Sequence, residues 1–124
     1  MHYRAHIGKE AEELVAQKLI ENGFTILERN YRKRHGEIDL IASKYQLLVF
    51  VEVKMRHHRY FDLSDVITPS KQRKIIATAK DYLMRKGGSE DRSYRFDVAL
   101  LEGAEHSLEL TYIPNAFNES DCAW

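Results

Sequence analysis

Residues 36–54 read "GEIDLIASKYQLLVFVEVK", the most apolar stretch of the chain, and their reading decides the fold. Two strand patterns, 37–42 and 47–55, flank the short connection "SKYQ". The second is apolar on both faces over "LLVFV", as befits a strand covered from both sides, and this predicts the centre of a sheet. Asp39, Glu52 and Lys54 interrupt the apolar run, where burial makes charge costly.

Strand geometry predicts where these three charges go. Side chains alternate across a strand, so Glu52 and Lys54 share a face with Leu48 and Phe50, while Val49, Val51 and Val53 point away. On the preceding strand Glu37, Asp39 and Ile41 share a face, opposite Ile38, Leu40 and Ala42. A two-residue turn at Tyr45 and Gln46 sets Asp39 directly opposite Glu52, with Cβ atoms about 4.5–5.5 Å apart. A four-residue loop over 43–46 sets them diagonally on the same face, and only an odd-length connection separates them. The hairpin therefore predicts one patch holding Asp39, Glu52 and Lys54.

Two carboxylates this close repel each other unless one takes up a proton or a cation lies between them. A hard divalent ion, Mg²⁺ or Mn²⁺, suits oxygen ligands and keeps several waters. Such an ion activates water and neutralises charge on a phosphodiester. Lys54 would stabilise the developing charge or hold the attacking water. The plainer alternative is a fold-stabilising cluster in which the carboxylates pair with Lys54 or Arg34.

Outward from the hairpin, residues 5–22 have helical spacing, with Ile7, Ala11, Leu14, Val15 and Leu19 on one face and Gly23 as a stop. Residues 24–31 read as a strand, and "RKRHG" turns the chain into the hairpin. A second helix is predicted over 69–86. Thr68 is its N-cap, Pro69 its first residue, and Ile75, Ile76, Ala79, Tyr82 and Leu83 its apolar face; Gly87 ends it. Residues 94–101 and 108–113 are two further strands. The order αβββαββ describes a mixed α/β domain with helices flanking a sheet.

The chain has 124 residues, enough for one domain with a core. No linker is visible; residues 87 and 88, both glycine, open a loop, and 118–124 read as a flexible tail. One cysteine, Cys122, cannot form an internal disulfide, and the first residues lack an apolar signal region; a cytoplasmic protein without a membrane span is expected. Formal net charge is zero, but residues 29–59 hold eight basic against three acidic residues, a net of +5 that the rest of the chain balances. "RNYRKRH" (29–35) and "KMRHHR" (54–59) supply it, and Arg29, Arg32, Lys33, Arg34 and Arg56 would form a phosphate-contacting rim. "SKQRK" (70–74) opens the second helix, where Lys71 and the first amides would hold a phosphate. Neighbouring His57 and His58 face opposite ways on a strand and make a poor metal pair. Asp97 is expected to orient a basic residue and not to act in catalysis.

"GEIDLIA" followed by "VFVEVK" resembles the PD-(D/E)xK nuclease superfamily, whose fold is restriction-endonuclease-like. Asp39 matches its first acidic position, and Glu52, Val53 and Lys54 match its (D/E)xK. The likeness is greatest to the YraN-like family, similar to archaeal Holliday-junction resolvases, and runs from "GKEAEELVAQKLIENGFTILERNYR" through "RFDVALLE" to "IPNAF". The proline that precedes the aspartate in the superfamily is absent, and "EID" stands there.

The resemblance implies a metal-dependent nuclease acting on DNA, branched or junction DNA included. Asp39 and Glu52 would bind Mg²⁺ or Mn²⁺ together with the Val53 carbonyl and Glu12, which matches an acidic residue of resolvase-like members. Gln72 resembles a motif glutamine of related nucleases. Symmetric cutting of a junction favours a homodimer. The same fold also hosts members that have lost cleavage, so a non-cleaving nucleic-acid-binding module and a structural subunit remain as alternatives.

Overall fold

The computed structural model describes the backbone of residues 2–55, 67–86, 92–104 and 106–119, with side chains from Gly8 onward. Among them the order is α1 (His2–Glu21), β1 (Thr25–Lys33), β2 (Gly36–Lys44), β3 (Leu47–Met55), α2 (Pro69–Arg85), β4 (Ser93–Ala104) and β5 (Ser107–Phe117). The strands form one mixed sheet in the order β1-β2-β3-β4-β5. β3 pairs in parallel with β4, with α2 between them in the chain, and the other pairings are antiparallel. This is the αβββαββ arrangement expected, with β3 at the centre.

The β2–β3 hairpin closes as its apolar register requires. Lys44 pairs with Leu47, leaving Tyr45 and Gln46 as a two-residue turn. Tyr45 has φ 54°, the left-handed conformation that tight hairpin turns demand. From there the ladder runs back to Leu40 opposite Val51.

The two helices cover opposite faces. Ala11, Val15, Ala16 and Leu19 of α1 pack on Leu40, Ala42, Val49 and Val51. Ile75, Ile76, Ala79 and Tyr82 of α2 pack on Ile41, Leu48, Phe50 and Phe96. On the α2 side Phe50, Phe96 and Phe117 stack at centroid distances of 5.5 and 5.2 Å. Each such side chain contributes about 1.5–3 kcal/mol on full burial.

α2 starts as its sequence predicts: Thr68 Oγ1 accepts the Lys71 amide at 3.2 Å and Pro69 takes the first position. It ends at Arg85, one residue short of the predicted end, with Lys86 as cap; Gly87 lies outside the described residues. β1 runs two residues past the predicted strand, because Lys33 still pairs with Gly36, and the turn shrinks to Arg34 and His35. β4 and β5 also outrun prediction, since their hairpin ladder continues to Ala104 opposite Ser107. In the expected tail, Glu119 is ion-paired with Lys80, and 120–124 lie outside the described residues, as do Arg56, His57 and His58. No helix among the described residues is long and apolar enough to cross a membrane.

Candidate active site

The alternation of faces breaks between Ile38 and Leu40, and the β2–β3 ladder ends at the same level, which builds the site. Ile38 packs with the α2-side cluster although Leu40, two residues on, packs with the α1-side cluster. Strict alternation would put both on one face, so the expected opposition of Ile38 to Asp39 does not hold. Asn30, which the β1–β2 register sets opposite Asp39, has φ 52° although β1 runs on through it, and the register shift of that pairing lies earlier, between Ile26 and Glu28. Asparagine is among the few residues that adopt this conformation readily. Asn30 was not a sequence-predicted site residue; its place in the strand pattern gave no sign of it.

Beyond the Leu40–Val51 pair the cross-strand ladder stops. The Val53 amide instead donates to Oδ2 of Asp39 at 2.7 Å. The Asp39 and Glu52 carboxyl groups lie close enough for each to act on the other. Burial first, then the charge of Glu52, raises Asp39 to about 8, against the lowering effect of the Val53 amide. Glu12 of α1 adds a smaller upward push. Asp39 is thus held well above the usual carboxylate range by its burial and by the neighbouring carboxylate.

Glu52 is 6% exposed. Its partner is neither Lys54 nor Arg34 but Lys71, whose Nζ lies 2.7 Å from Glu52 Oε2. Lys71 comes from the first turn of α2, so the carboxylates of the hairpin meet a cation delivered by the helix above them. Asp39, Glu52, Val53 and Lys54 line a cavity of about 270 Å³ with Lys71 and Lys74. Gly36 closes one side. A Cβ there would stand 3.2 Å from Thr78 Oγ1 and 3.3 Å from Lys74 Cβ, so the bare backbone lets the β1–β2 turn lie against α2. A larger groove, about 810 Å³, runs between α1 and β5. Chemistry, not size, selects the smaller cavity, because it holds the carboxylate pair, Glu52 buried and Asp39 half-buried.

The remaining predicted residues divide. Arg32 pairs with Glu37, another residue of the cavity lining, at 3.3 Å, and exposed Arg34 forms the adjoining turn. Lys33 lies 5.0 Å over the Tyr31 ring. Arg29 points instead to the α1 side, where it pairs with Glu13 at 3.0 Å. Gln72 is buried and donates to the Ile67 carbonyl at 2.9 Å, so this contact belongs to the start of α2. Glu12 meets Asn30 at 3.4 Å. Among the described residues no group of three or more His, Cys, Asp or Glu side chains stands ready to enclose a metal. Two carboxylates with waters and substrate oxygens still fit Mg²⁺, which is commonly held by one or two carboxylates.

Asp97 forms a separate buried centre. It is 0% exposed and accepts from Arg95 Nε at 2.9 Å, Tyr112 Oη at 2.5 Å and the Asn115 amide at 2.8 Å. It orients a basic residue, as expected. Burial and the Asp97 carboxylate raise the Tyr112 hydroxyl.

Fold and site together define a small α/β domain with a paired acidic centre where a hairpin splays beneath a helix N-terminus. Residues 11–101 match the family described as "Uncharacterised protein family UPF0102", and the chain belongs to that family. It is 40% identical over 111 residues to a UPF0102 protein of Nitrosococcus oceani, covering 89% of this chain and 90% of the relative. A UPF0102 protein of Clostridium botulinum is 40% identical over 121 residues, 94% of this chain and 98% of its own. One from Symbiobacterium thermophilum is 43% identical over 114 residues, 90% and 96% respectively.

Proposed function

We propose that this protein is a metal-dependent nuclease of the PD-(D/E)xK type that hydrolyses phosphodiester bonds in DNA, branched or junction DNA included. The observation that carries this reading is the meeting of Asp39 and Glu52, locked by the Val53 amide, in one cavity with Lys54. The element order, in which the (D/E)xK strand is central, also supports it.

Asp39 and Glu52, with the Val53 carbonyl and Glu12, are the residues to hold Mg²⁺ or Mn²⁺. When bound, the ion supplies Lewis acidity toward the phosphodiester and acidifies a water. The chain's own part is positional and electrostatic. The Val53 amide fixes the direction of the Asp39 carboxylate, and the apolar sheet beneath limits water around it. Lys54 offers an ammonium on the cavity wall, suited to the charge that develops on phosphate oxygens. Arg32 and Arg34, at the β1–β2 turn, offer backbone-phosphate contacts.

A non-cleaving nucleic-acid-binding module is the second reading. What favours it is that Lys71 already neutralises Glu52 and that, among the described residues, Asp39, Glu52 and Glu12 are not drawn together into a three-carboxylate cage. Labelled duplex, single-stranded and four-way DNA, incubated with Mg²⁺ or Mn²⁺, separates the two. Cleavage by the wild type that Asp39→Asn reduces at least about 100-fold is expected, since a metal-ligating carboxylate is lost. Cleavage unchanged by that substitution sinks the nuclease mechanism, and salt-dependent binding without any cleavage selects the module.

A further inference from the structure

We infer that Lys71 is a resident counter-cation, which neutralises Glu52 in the metal-free protein and transfers to a phosphate of the nucleic acid when a divalent ion takes its place. This rests on the metal-dependent reading above.

The geometry has three parts. First, the contact is with the ligand itself: the ammonium lies 2.7 Å from an oxygen of a side chain only 7% exposed. A carboxylate so buried is costly without a partner, and Lys71 supplies one from another element. Second, Lys71 is free to leave. Its own side chain is 41% exposed, on a flexible stem of four carbons, so the ammonium is readily rehydrated when displaced. Third, its backbone is fixed while its head is not. The Lys71 amide is held by Thr68 Oγ1 in the capped first turn of α2, with Lys74 one turn on along the same cavity. A released Lys71 ammonium therefore stays within reach of the cavity mouth, beside Lys74.

A metal ion and the Lys71 ammonium are like charges that compete for the single negative charge of Glu52. Lys71 thus weakens metal binding in the absence of substrate and strengthens nucleic-acid binding in its presence. A lysine serving only to stabilise the fold would do neither. A lysine serving only as a phosphate contact would leave the metal affinity unchanged.

The test uses the full chain. Mn²⁺ is titrated calorimetrically into the wild type and Lys71→Met, and binding of a labelled DNA duplex is followed over a salt series with Ca²⁺ present. The Lys71→Met variant is expected to bind Mn²⁺ about tenfold more tightly, the effect of removing one competing charge. It should bind DNA more weakly, with a salt slope reduced by about one. Lys71→Arg should behave nearer the wild type. Thermal melts establish that each variant is folded; should Lys71→Met fail to fold, Lys71→Gln takes its place. Mn²⁺ binding that is unchanged or weaker in the folded variant overturns the inference while leaving the nuclease reading intact. Absence of Mn²⁺ binding by both proteins overturns both.

Discussion

The Val53 amide and the Asp39 carboxylate are joined by a 2.7 Å hydrogen bond across two strands whose backbone ladder has already ended. A side chain here accepts the kind of backbone donor that a paired strand would otherwise satisfy. The bond fixes where the carboxylate points and holds it against Glu52, in spite of repulsion.

That proximity has a pH signature. An unfolded aspartate titrates near 4, whereas Asp39 in the folded, metal-free protein is raised to about 8 by burial and by Glu52. The folded state keeps a proton that the unfolded state has released. The contribution of Asp39 to stability is therefore full below about pH 4 and is lost as pH rises through 8. Asp39→Asn keeps the shape and removes the titration. In chelator at pH 8 it should be more stable than the wild type by ~1–3 kcal/mol, with no advantage at pH 4. Urea unfolding at both pH values checks this, and equal pH slopes for the two proteins would count against a raised Asp39.

Asp97 should matter to folding and not to the cavity. Asp97→Ala strands a partly buried Arg95 and two donors, and a loss of ~3–5 kcal/mol is expected. Tyr112→Phe removes one bond to the same carboxylate, at a cost of ~1–2 kcal/mol. Denaturant unfolding measures both. The Tyr112→Phe protein should retain wild-type Mn²⁺ affinity, and a loss of metal binding there would tie the two centres together.

The basic rim should divide as its contacts do. Arg32→Ala and Arg34→Ala should each lower the slope of log affinity for DNA against log salt by about 0.9, one phosphate contact apiece. Arg29→Ala should leave that slope unchanged, because its guanidinium faces Glu13 on the α1 side. Its measurable effect should be on stability, at ~0.2–1 kcal/mol for an exposed pair. Filter binding over a salt series separates the three.

The hairpin was legible because its information is local. The apolar run 47–51 and the two residues Tyr45 and Gln46 set β3 at the centre and the β2–β3 register, and hence the approach of Asp39 to Glu52. The change of face between Ile38 and Leu40 was not legible, because no local pattern records where the β2–β3 ladder ends. Lys71 read as a phosphate-holding residue at a helix start. Its bond to Glu52 depends on how α2 lies over the sheet, and no local pattern records that. Arg29 looked like its basic neighbours, yet a strand residue's partner follows from its face, and an irregular strand scrambles the count of faces. Asp97 was readable as an orienting carboxylate but not as a centre with three donors, because Tyr112 and Asn115 reach it from the neighbouring strand across an irregular register.

The most direct measurement is the anomalous difference density of a crystal soaked in Mn²⁺ at pH 8. One ion bound by carboxylate oxygens of both Asp39 and Glu52, with the Lys71 ammonium moved off Glu52, is the predicted result. Lys71 still seated on Glu52, with no ion between the two carboxylates, would contradict it.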